Sequence, residues 1–338
     1  MPPHPHRPPE LAWQVFRGSE AIRRGLLSRH HLRGASWIRL RQDVYADARL
    51  DRDHALACRA ALLRLPPGAA IAGPSAAYLH GVEHAAGFTD DVHVLLPATV
   101  RADSQPGVRV HHAPMSSTHS GLLVPVGSAA PAGTRPPAGT RSSVAAPLAA
   151  DRSSPGAVMI LAGPPPRTEP AACAWETAVW ADPVEAVGII DGLLRTGSVN
   201  RSALASEVAR NACRPGGRRA AWVFGLTDGL AQSPPESHLR VRLVLAGLPR
   251  PVAQYPVRVS TGLILHPDLA WPEFRVAVEY DGQWHSDADR MHLDRRRLNQ
   301  LVAAGWLVLH VTGRRLRKEF PALVREIRAA LVARGWRP

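Results

Sequence analysis

Two carboxylates near the end of the chain lie in apolar surroundings, where carboxylates are uncommon. They are Asp268 and Glu279, within the segment HPDLAWPEFRVAVEYDGQWH of residues 266–285. The apolar runs 263–271 and 275–280 are separated by three residues, which is typical of a β-hairpin. If the chain turns between these runs, Asp268 lies opposite Glu279, and both carboxylates reach one hard cation. The pattern therefore predicts a metal site with oxygen ligands.

Alternation along the second run places its acids on one face of the strand. Ala277, Glu279 and Asp281 share that face, and the larger apolar side chains occupy the other. Carboxylates that are buried together repel each other and lose hydration, so an apolar strand seldom holds them without a cation or a shared proton. The alternative is that Glu279 and Asp281 lie at the exposed end of the strand and keep a sheet edge soluble.

The segments around the hairpin predict the order α-β-β-α-β-α for residues 231–338. Ser and Pro residues before Glu236 are start signals for a helix. After the hairpin, a helix carrying Asp294 ends at Gly305, and a strand follows from Trp306. The last segment has the spacing of an amphipathic helix.

These residues resemble the very-short-patch-repair endonucleases, which belong to the PD-(D/E)XK nuclease superfamily. The matching residues, in order, are Glu236, Pro267-Asp268, Glu279-Tyr280-Asp281-Gly282, His285, Asp294, Arg297 and Gly305-Trp306. The resemblance implies an α/β restriction-endonuclease-like core with a mixed sheet. It also implies an acidic centre of Glu236, Asp268 and Glu279, in which Asp268 is the principal ligand of Mg²⁺, with Mn²⁺ as a second usable metal.

Phosphodiester hydrolysis suits these residue types, because a cation neutralises developing negative charge and lowers the pKa of the attacking water. By the same resemblance, His285 matches a histidine that the repair enzymes use, and histidine suits a general base or a general acid. The superfamily's usual Glu-x-Lys is here Glu279-Tyr280-Asp281, so the lysine is absent. Asp281 could add a metal contact, but it supplies no positive charge; the related repair enzymes also lack that lysine.

Basic residues follow the acidic segment. Arg295 and Arg297 lie on the helix after the hairpin and could clamp a nucleic-acid backbone. A solvated helix face explains them equally well.

The N-terminal region has the pattern of a small DNA-binding unit. The spacing from Leu11 to Ile22 predicts a helix, and a second helix follows a turn at residues 25–28, where Gly suits a helix end and Ser an N-cap. Residues 37–46 then alternate about a polar turn, as in a β-hairpin. Two helices and a hairpin are the parts of a winged helix, and the predicted nucleic-acid contacts are Arg29, His30 and Arg33. Such units also occur in proteins that never touch DNA.

The segments SEAIRRGLLSRHHLR, WIRLRQDVYAD, AIAGPSAAYLHGV and VHVLLP resemble the N-terminal region of AbiEi-type antitoxin and transcriptional-regulator proteins. In that family the region is a winged-helix DNA binder, so the resemblance implies DNA as the partner. Asp43 stands where such proteins usually carry Gly before Val-Tyr. A homodimer and a cognate toxin or restriction-type partner are compatible with this resemblance.

Composition divides the chain into four parts. We expect a winged-helix-like region over residues 1–113, a flexible linker or insertion rich in Ala, Pro, Gly and Ser over 114–165, a helical connector over 166–230 and the endonuclease-like domain over 231–338. The net charge of +13 favours a polyanionic partner. Only one of the 41 basic residues is a lysine, however, and a GC-rich genome alone could produce that arginine bias.

No apolar run approaches the roughly 18 to 20 residues that cross a bilayer, and the N-terminus lacks the apolar segment of a signal peptide. We therefore expect a cytoplasmic protein without a membrane partner. Cys58, Cys173 and Cys213 lack the paired spacing of a zinc site, so we expect reduced, packed thiols.

Together these features predict a Mg²⁺-dependent DNA endonuclease that an N-terminal DNA-binding region directs to its substrate. The alternative is a non-catalytic DNA-binding regulator of antitoxin type, in which the nuclease fold serves as a binding or dimerising platform. An RNA substrate is also compatible with the sequence.

Overall fold

Helices and strands are mixed along the whole described chain, which confirms the α/β class. The computed structural model describes residues 6–113, 124–125, 159–160, 163–281 and 288–338, with the backbone alone at 113, 124–125, 159–160 and 288–295. The chain divides into two compact units. Unit 1 comprises Met1–Leu79 and Ala86–Glu169, and unit 2 comprises His80–Ala85 and Pro170–Pro338.

Unit 1 contains two small sheets and three helices among its described residues. The helices are α1 (Gly18–Arg23), α2 (His54–Leu62) and α3 (Gly73–Leu79), and the strands are β1 (Val15–Arg17), β2 (Trp37–Arg41), β3 (Val44–Asp47), β4 (Ala70–Ile71), β5 (Val92–Pro97), β6 (Val108–Ala113), β7 (Val124–Pro125) and β8 (Met159–Ile160). The strand orders are β2-β3-β1-β8-β7 and β4-β5-β6. In the second sheet β5 pairs antiparallel with β4 and parallel with β6, so that sheet is mixed.

The predicted first helix of unit 1 is wrong over the residues before Gly18. Val15–Arg17 form strand β1, which pairs antiparallel with β3. Phe16 is fully buried there and contacts the rings of Trp37 and Tyr45. Val15 and Phe16 are of types that favour strands, and pairing with β3 selects the strand over the helix. The predicted second helix is only a three-residue 3-10 segment, His31–Arg33.

The predicted hairpin of unit 1 is confirmed, since β2 and β3 pair antiparallel. Asp43, in the turn between them, has φ +60°, in the left-handed region. Glycine adopts this conformation without a steric penalty, whereas Asp43 adopts it at a steric cost. The Asp43 carboxylate accepts hydrogen bonds from the Ser19 amide at 2.7 Å and hydroxyl at 2.6 Å, and these bonds help to hold the strained turn.

Unit 2 begins with helices and ends with a sheet covered by helices. Its described elements are α4 (Pro170–Trp180), α5 (Pro183–Arg195), α6 (Arg201–Asn211), α7 (Gly217–Leu226), α8 (Pro234–Leu245), β9 (Val252–Ala253), β10 (Val257–Arg258), β11 (Ile264–Leu265), β12 (Leu269–Trp271), β13 (Val276–Asp281), α9 (Ala288–Ala303), β14 (Leu307–Thr312), α10 (Gly313–Lys318) and α11 (Phe320–Ala333). The main sheet has the order β14-β13-β12-β9, with β13 and β14 parallel and β12 antiparallel to β13. This sheet is therefore mixed.

The first half of β13 is buried on both faces, and the strand becomes more exposed toward Asp281. Val276 and Val278 pack with residues of α8 and α11, whereas Ala277 packs with Leu301 of α9 and with Trp306. The order α8, β12, β13, α9, β14, α11 follows the predicted α-β-β-α-β-α. The sequence prediction missed α10 and the short strands β9, β10 and β11.

Two predicted helix ends are confirmed, since Gly25 and Gly305 follow α1 and α9 with φ of +71° and +85°. Gly197 follows α5 in the same way, with φ +71°. Ser28 accepts a hydrogen bond from the His31 amide at 3.1 Å, so it caps the short 3-10 turn that replaces the predicted helix. Left-handed residues at these positions end the helices because they turn the backbone away from the helical path.

A buried ion cluster holds α5, α8 and the segment before α8 together. Arg240 on α8 is 1% exposed, and its Nη2 lies 2.7 Å from Asp191 Oδ2 on α5. Its Nε lies 2.9 Å from Asp228 Oδ2. Asp191 also accepts hydrogen bonds from the Ser237 hydroxyl and from the amides of Asp228 and Gly229. One guanidinium thus lies between two carboxylates, and hydrogen bonds to Asp191 supply further stabilisation that burial of ionised groups requires.

Among the described residues, no helix reaches the length and apolarity needed to cross a bilayer. Cys58 and Cys173 are buried, as expected for packed thiols, but Cys213 is exposed. The expectation for Cys213 is wrong because this residue lies in the turn between α6 and α7.

We expect Arg240→Ala to lower the free energy of unfolding by about 3–5 kcal/mol, because it leaves Asp191 and Asp228 buried without their cation. Urea unfolding followed by tryptophan fluorescence measures this loss. Arg325→Ala, at an exposed position of α11, is the matched control and should change stability by less than about 0.5 kcal/mol. A loss below about 1 kcal/mol for Arg240→Ala would mean that water replaces the guanidinium.

Candidate acidic site of unit 2

The β12–β13 pairing brings Asp268 and Glu279 together. Leu269 pairs with Val278 and Ala270 with Ala277, so the next pair of this register is Asp268 and Glu279. The Tyr280 amide donates a hydrogen bond to Asp268 Oδ2 at 2.8 Å, which fixes this carboxylate at the strand end. The predicted register is confirmed.

Both carboxylates are largely removed from water. Burial raises the pKa of Glu279 to about 7, and the negative charge of Asp268 adds to that rise. Burial also raises the pKa of Asp268, while the Tyr280 amide and the charge of Arg297 oppose the rise. A raised pKa means that the folded protein holds the ionised form at an energetic cost. A cation close to the pair would reduce that cost.

Glu236 lies near the pair but already has two local partners. It sits in the first turn of α8, where the Ser233 hydroxyl donates to its Oε1 at 2.7 Å and the Gln232 amide donates to its Oε2 at 2.8 Å. Burial raises the pKa of Glu236, and the charge of Asp268 adds to it. Glu236 therefore holds the segment that leads into α8 through these two hydrogen bonds, and it also contributes negative charge beside Asp268.

Gln254 is a member of the site that sequence reasoning missed. Its side-chain amide donates to Asp268 Oδ1 at 3.3 Å and lies 3.5 Å from Glu236 Oε2, and it accepts from Gln232 Nε2 at 3.1 Å. Its φ is +52°, a strained conformation for a residue with a side chain. No spacing in the sequence connects Gln254 with the two acids.

Arg297 places a positive charge at the acidic pair. Its Nη2 lies 3.2 Å from Glu279 Oε1, and the same nitrogen donates to the backbone carbonyl of His266. The contact with Glu279 is an ion pair without hydrogen-bond geometry, since Glu279 Oε1 is buried and accepts no hydrogen bond. A cationic group thus reaches Glu279 from α9, whose face toward the sheet the sequence could not specify.

A second polar contact lies on the neighbouring parallel strand. His310 is paired in register with Glu279, and its Nδ1 lies 3.2 Å from Asp281 Oδ2. Both side chains are about half exposed. Paired residues of parallel strands share a face of the sheet. Alternation along β14 would therefore have placed His310 on the face of Glu279, but only if the strand pairing had been known.

The remaining predicted site residues contribute no described contact to this centre. His285 lies outside the described residues, and Arg295 lies at a position of α9 whose side chain is outside them as well. Arg29, His30 and Arg33 are exposed in unit 1. Within the described part of the chain, no group of three or more His, Cys, Asp or Glu side chains is arranged to hold a metal ion. The described acidic site therefore offers Asp268 and Glu279 as a pair.

Comparison with known proteins gives relatives without a known activity. The chain is similar to two uncharacterized proteins of Mycobacterium tuberculosis, from two strains, with 33% identity over 153 residues. The match covers 45% of this chain and 56% of each relative, so the chain spans about half the length of the curated relatives it matches. No family model matches the chain. No solved structure matches it.

We expect the stabilising effect of Glu279→Gln to grow as the pH rises from about 5 to 8 without divalent cations. Folded Glu279 has a pKa of about 7, above its ordinary value of 4.5, so the folded state binds the proton more tightly. Its stability contribution is therefore present at low pH and is lost as the pH rises toward 7. Urea unfolding should show a relative gain of about 1–3 kcal/mol at pH 8 for the variant. Glu273→Gln, in the exposed turn of the same hairpin, should show no pH-dependent gain.

We expect Gln254→Gly to be more stable than Gln254→Ala by about 1 kcal/mol, because both remove the amide and only glycine relieves the left-handed strain. Thermal unfolding of the two variants measures the difference. Equal stabilities would show that residue 254 leaves the left-handed conformation once its side chain is removed.

Proposed function

We propose that the protein is a Mg²⁺-dependent endonuclease that hydrolyses phosphodiester bonds in DNA. The observation that carries this proposal is the buried pair of Asp268 and Glu279, held opposite each other at the end of a β-hairpin with raised pKa values. Buried carboxylates of this kind mark functional sites more often than structural ones, because stability alone would not favour them.

The residues present suit a magnesium ion. Asp268 and Glu279 would hold it, since Mg²⁺ is commonly bound through one or two carboxylates together with water and substrate phosphate. When bound, the ion would neutralise negative charge on the phosphate and lower the pKa of a water molecule. The Oε1 of Glu279 supports this fit, because this buried oxygen accepts no hydrogen bond and already attracts a cationic group, the Arg297 guanidinium, at 3.2 Å.

Arg297 supplies the charge that the missing lysine would give. Its guanidinium is 38% exposed and rests on Glu279 and the His266 carbonyl, so it can reach a phosphate at the mouth of the site. Arginine binds phosphate oxygens through several donors, whereas lysine acts as a point charge. We assign Arg297 to positioning the scissile phosphate.

Two histidines are candidates for proton transfer. His310 lies beside Asp281, whose carboxylate orients its ring through Nδ1. The free Nε2 could then accept or donate a proton near the phosphate. His285, which matches the repair-enzyme histidine, follows β13 by four residues. Gln254 completes the arrangement by holding Asp268 in place.

The order of elements in unit 2 supports a PD-(D/E)XK core. Helix α8 precedes the acid-bearing hairpin, α9 crosses to the parallel strand β14, and α11 closes the other face, in the order that the very-short-patch-repair resemblance implies. We propose that unit 1 contacts the DNA through the exposed residues Arg29, His30 and Arg33. Assembly as a homodimer and association with a toxin or restriction-type partner are further parts of this proposal.

Two observations favour the non-catalytic regulator as a second candidate. Arg297 already neutralises part of the charge of Glu279, and the described residues hold no three-ligand metal group. A protein that kept the nuclease fold only as a binding platform could balance its residual acids in this way.

We expect the purified protein to nick supercoiled plasmid, or to cut mismatched or branched duplexes, with Mg²⁺ or Mn²⁺ but not with EDTA. Asp268→Asn should lower the cleavage rate by at least about 100-fold, because metal ions contribute several kcal/mol to this chemistry. Glu273→Gln is the matched control, since it removes an exposed carboxylate from the same hairpin, and it should keep the wild-type rate.

Thermal unfolding of each variant establishes that it is folded. If the wild type cleaves none of these substrates with either metal but binds duplex tightly, and if Asp268→Asn binds equally well, the regulator is the better account.

A further inference from the structure

A cleft of about 640 Å³ lies beside the β2–β3 hairpin of unit 1. Its lining combines three arginines with an apolar wall and a hairpin acid: Arg29, Arg33, Arg39, Ile22, Leu32, Tyr45, Gly18, Ser19 and Asp43. The cleft lies away from the acidic site of unit 2 along the chain, and nothing in that site's chemistry requires it.

The positive charge of the three arginines of the cleft is not balanced by neighbouring acids among the described residues. Arg29, Arg33 and Arg39 are exposed, and none of them forms an ion pair within the part of the chain that the structure describes. The acid of the cleft, Asp43, is already engaged by Ser19 and by Arg17, whose Nε lies 3.3 Å from Asp43 Oδ2. These contacts lower the pKa of Asp43. Like charges that converge without counter-ions favour an anionic ligand.

The apolar side chains that line the cleft suit the uncharged part of an anionic ligand. Ile22, Leu32 and Tyr45 are half-buried and form its apolar wall. Gly18 leaves room for the tyrosine, because a Cβ there would lie 2.6 Å from Tyr45 Cε2. Aromatic and apolar walls beside arginines are the surroundings that bind a nucleobase together with a phosphate.

Around the cleft, the residues of unit 1 that the structure describes form no helix long enough to read a major groove. Helix α1 has six residues and the segment His31–Arg33 has three. A recognition helix in the major groove presents several base-contacting side chains along successive turns. The arginines of this region therefore suit a phosphate better than a row of base edges.

We propose that the cleft binds a terminal phosphate of a nucleic-acid strand together with its nucleotide. A phosphomonoester carries about −1.5 to −2 charges at neutral pH, whereas each backbone diester carries one, so three unpaired arginines discriminate in favour of the terminus. This inference rests on the proposed nucleic-acid contact of unit 1 and narrows it to strand ends. The same chemistry is present in a free nucleoside monophosphate, which is the other source of such a ligand.

Fluorescence anisotropy of the full-length protein in EDTA tests the proposal, because cleavage is excluded there. The probes are otherwise identical oligonucleotides, single-stranded and duplex, with a 5′-phosphate, a 3′-phosphate or hydroxyl ends. We expect one phosphorylated end to bind about tenfold tighter than the hydroxyl-ended strand, as charge-assisted contacts to a dianion require.

Arg33→Gln should abolish this preference, whereas Arg23→Gln, which removes an exposed arginine of α1 outside the cleft, should keep it. Both variants should melt at the wild-type temperature, since both side chains are exposed. Competition by a deoxynucleoside monophosphate at comparable concentration would identify the free nucleotide as the source, and failure to compete would identify the strand end.

Equal affinity for phosphorylated and hydroxyl-ended strands would overturn the terminal-phosphate site while leaving the proposed DNA contact standing. A preference that survives Arg33→Gln would overturn the assignment to this cleft. Absence of binding to every oligonucleotide and to the mononucleotide would overturn both the cleft and the nucleic-acid contact of unit 1. Plasmid cleavage by unit 2 is measured separately and does not depend on any of these results.

Discussion

The buried guanidinium of Arg240 is the interaction on which the arrangement of unit 2 depends. It pairs with Asp191 on α5 and with Asp228 before α8. Without these ion pairs, each group would be an unpaired charge with little access to water, which is energetically costly. This cluster sets the position of α8 relative to the helices that precede it. Since α8 also packs Leu239 and Leu243 against the sheet, the cluster indirectly sets where Glu236 meets the hairpin acids.

Two groups of buried charge in the same unit are balanced in opposite ways. The Arg240 cluster saturates its carboxylates with a cation, a hydroxyl and backbone amides. Asp268 accepts hydrogen bonds from two amides, whereas the buried Oε1 of Glu279 accepts none and has a partly exposed arginine beside it. Burial raises the pKa of both carboxylates. The first arrangement is structural, because a further ion would add little stabilisation to carboxylates that already have partners. The second leaves an electrostatic cost that a bound cation would relieve, and this contrast separates a structural cluster from a candidate site.

The sequence by itself determined the features that depend on neighbouring residues. Alternation along β13 and the three-residue connection before it fixed the register in which Asp268 faces Glu279, because a shift of one residue would exchange the faces of the strand. Glycine marked the ends of α5 and α9, and the β2–β3 hairpin followed from its own polar turn. These signals are local, so they survive in a single sequence.

Only the tertiary structure decided which distant residues complete the site and which strand partners form. Val15–Arg17 became a strand because β3 lies beside it, although its apolar spacing also suits a helix. Gln254, Arg297 and His310 reach the acids from a loop, a helix and a parallel strand, and Glu236 also accepts a hydrogen bond from the Ser233 hydroxyl. Contacts between residues far apart in the chain leave no fixed spacing in the sequence, because packing and not periodicity selects them.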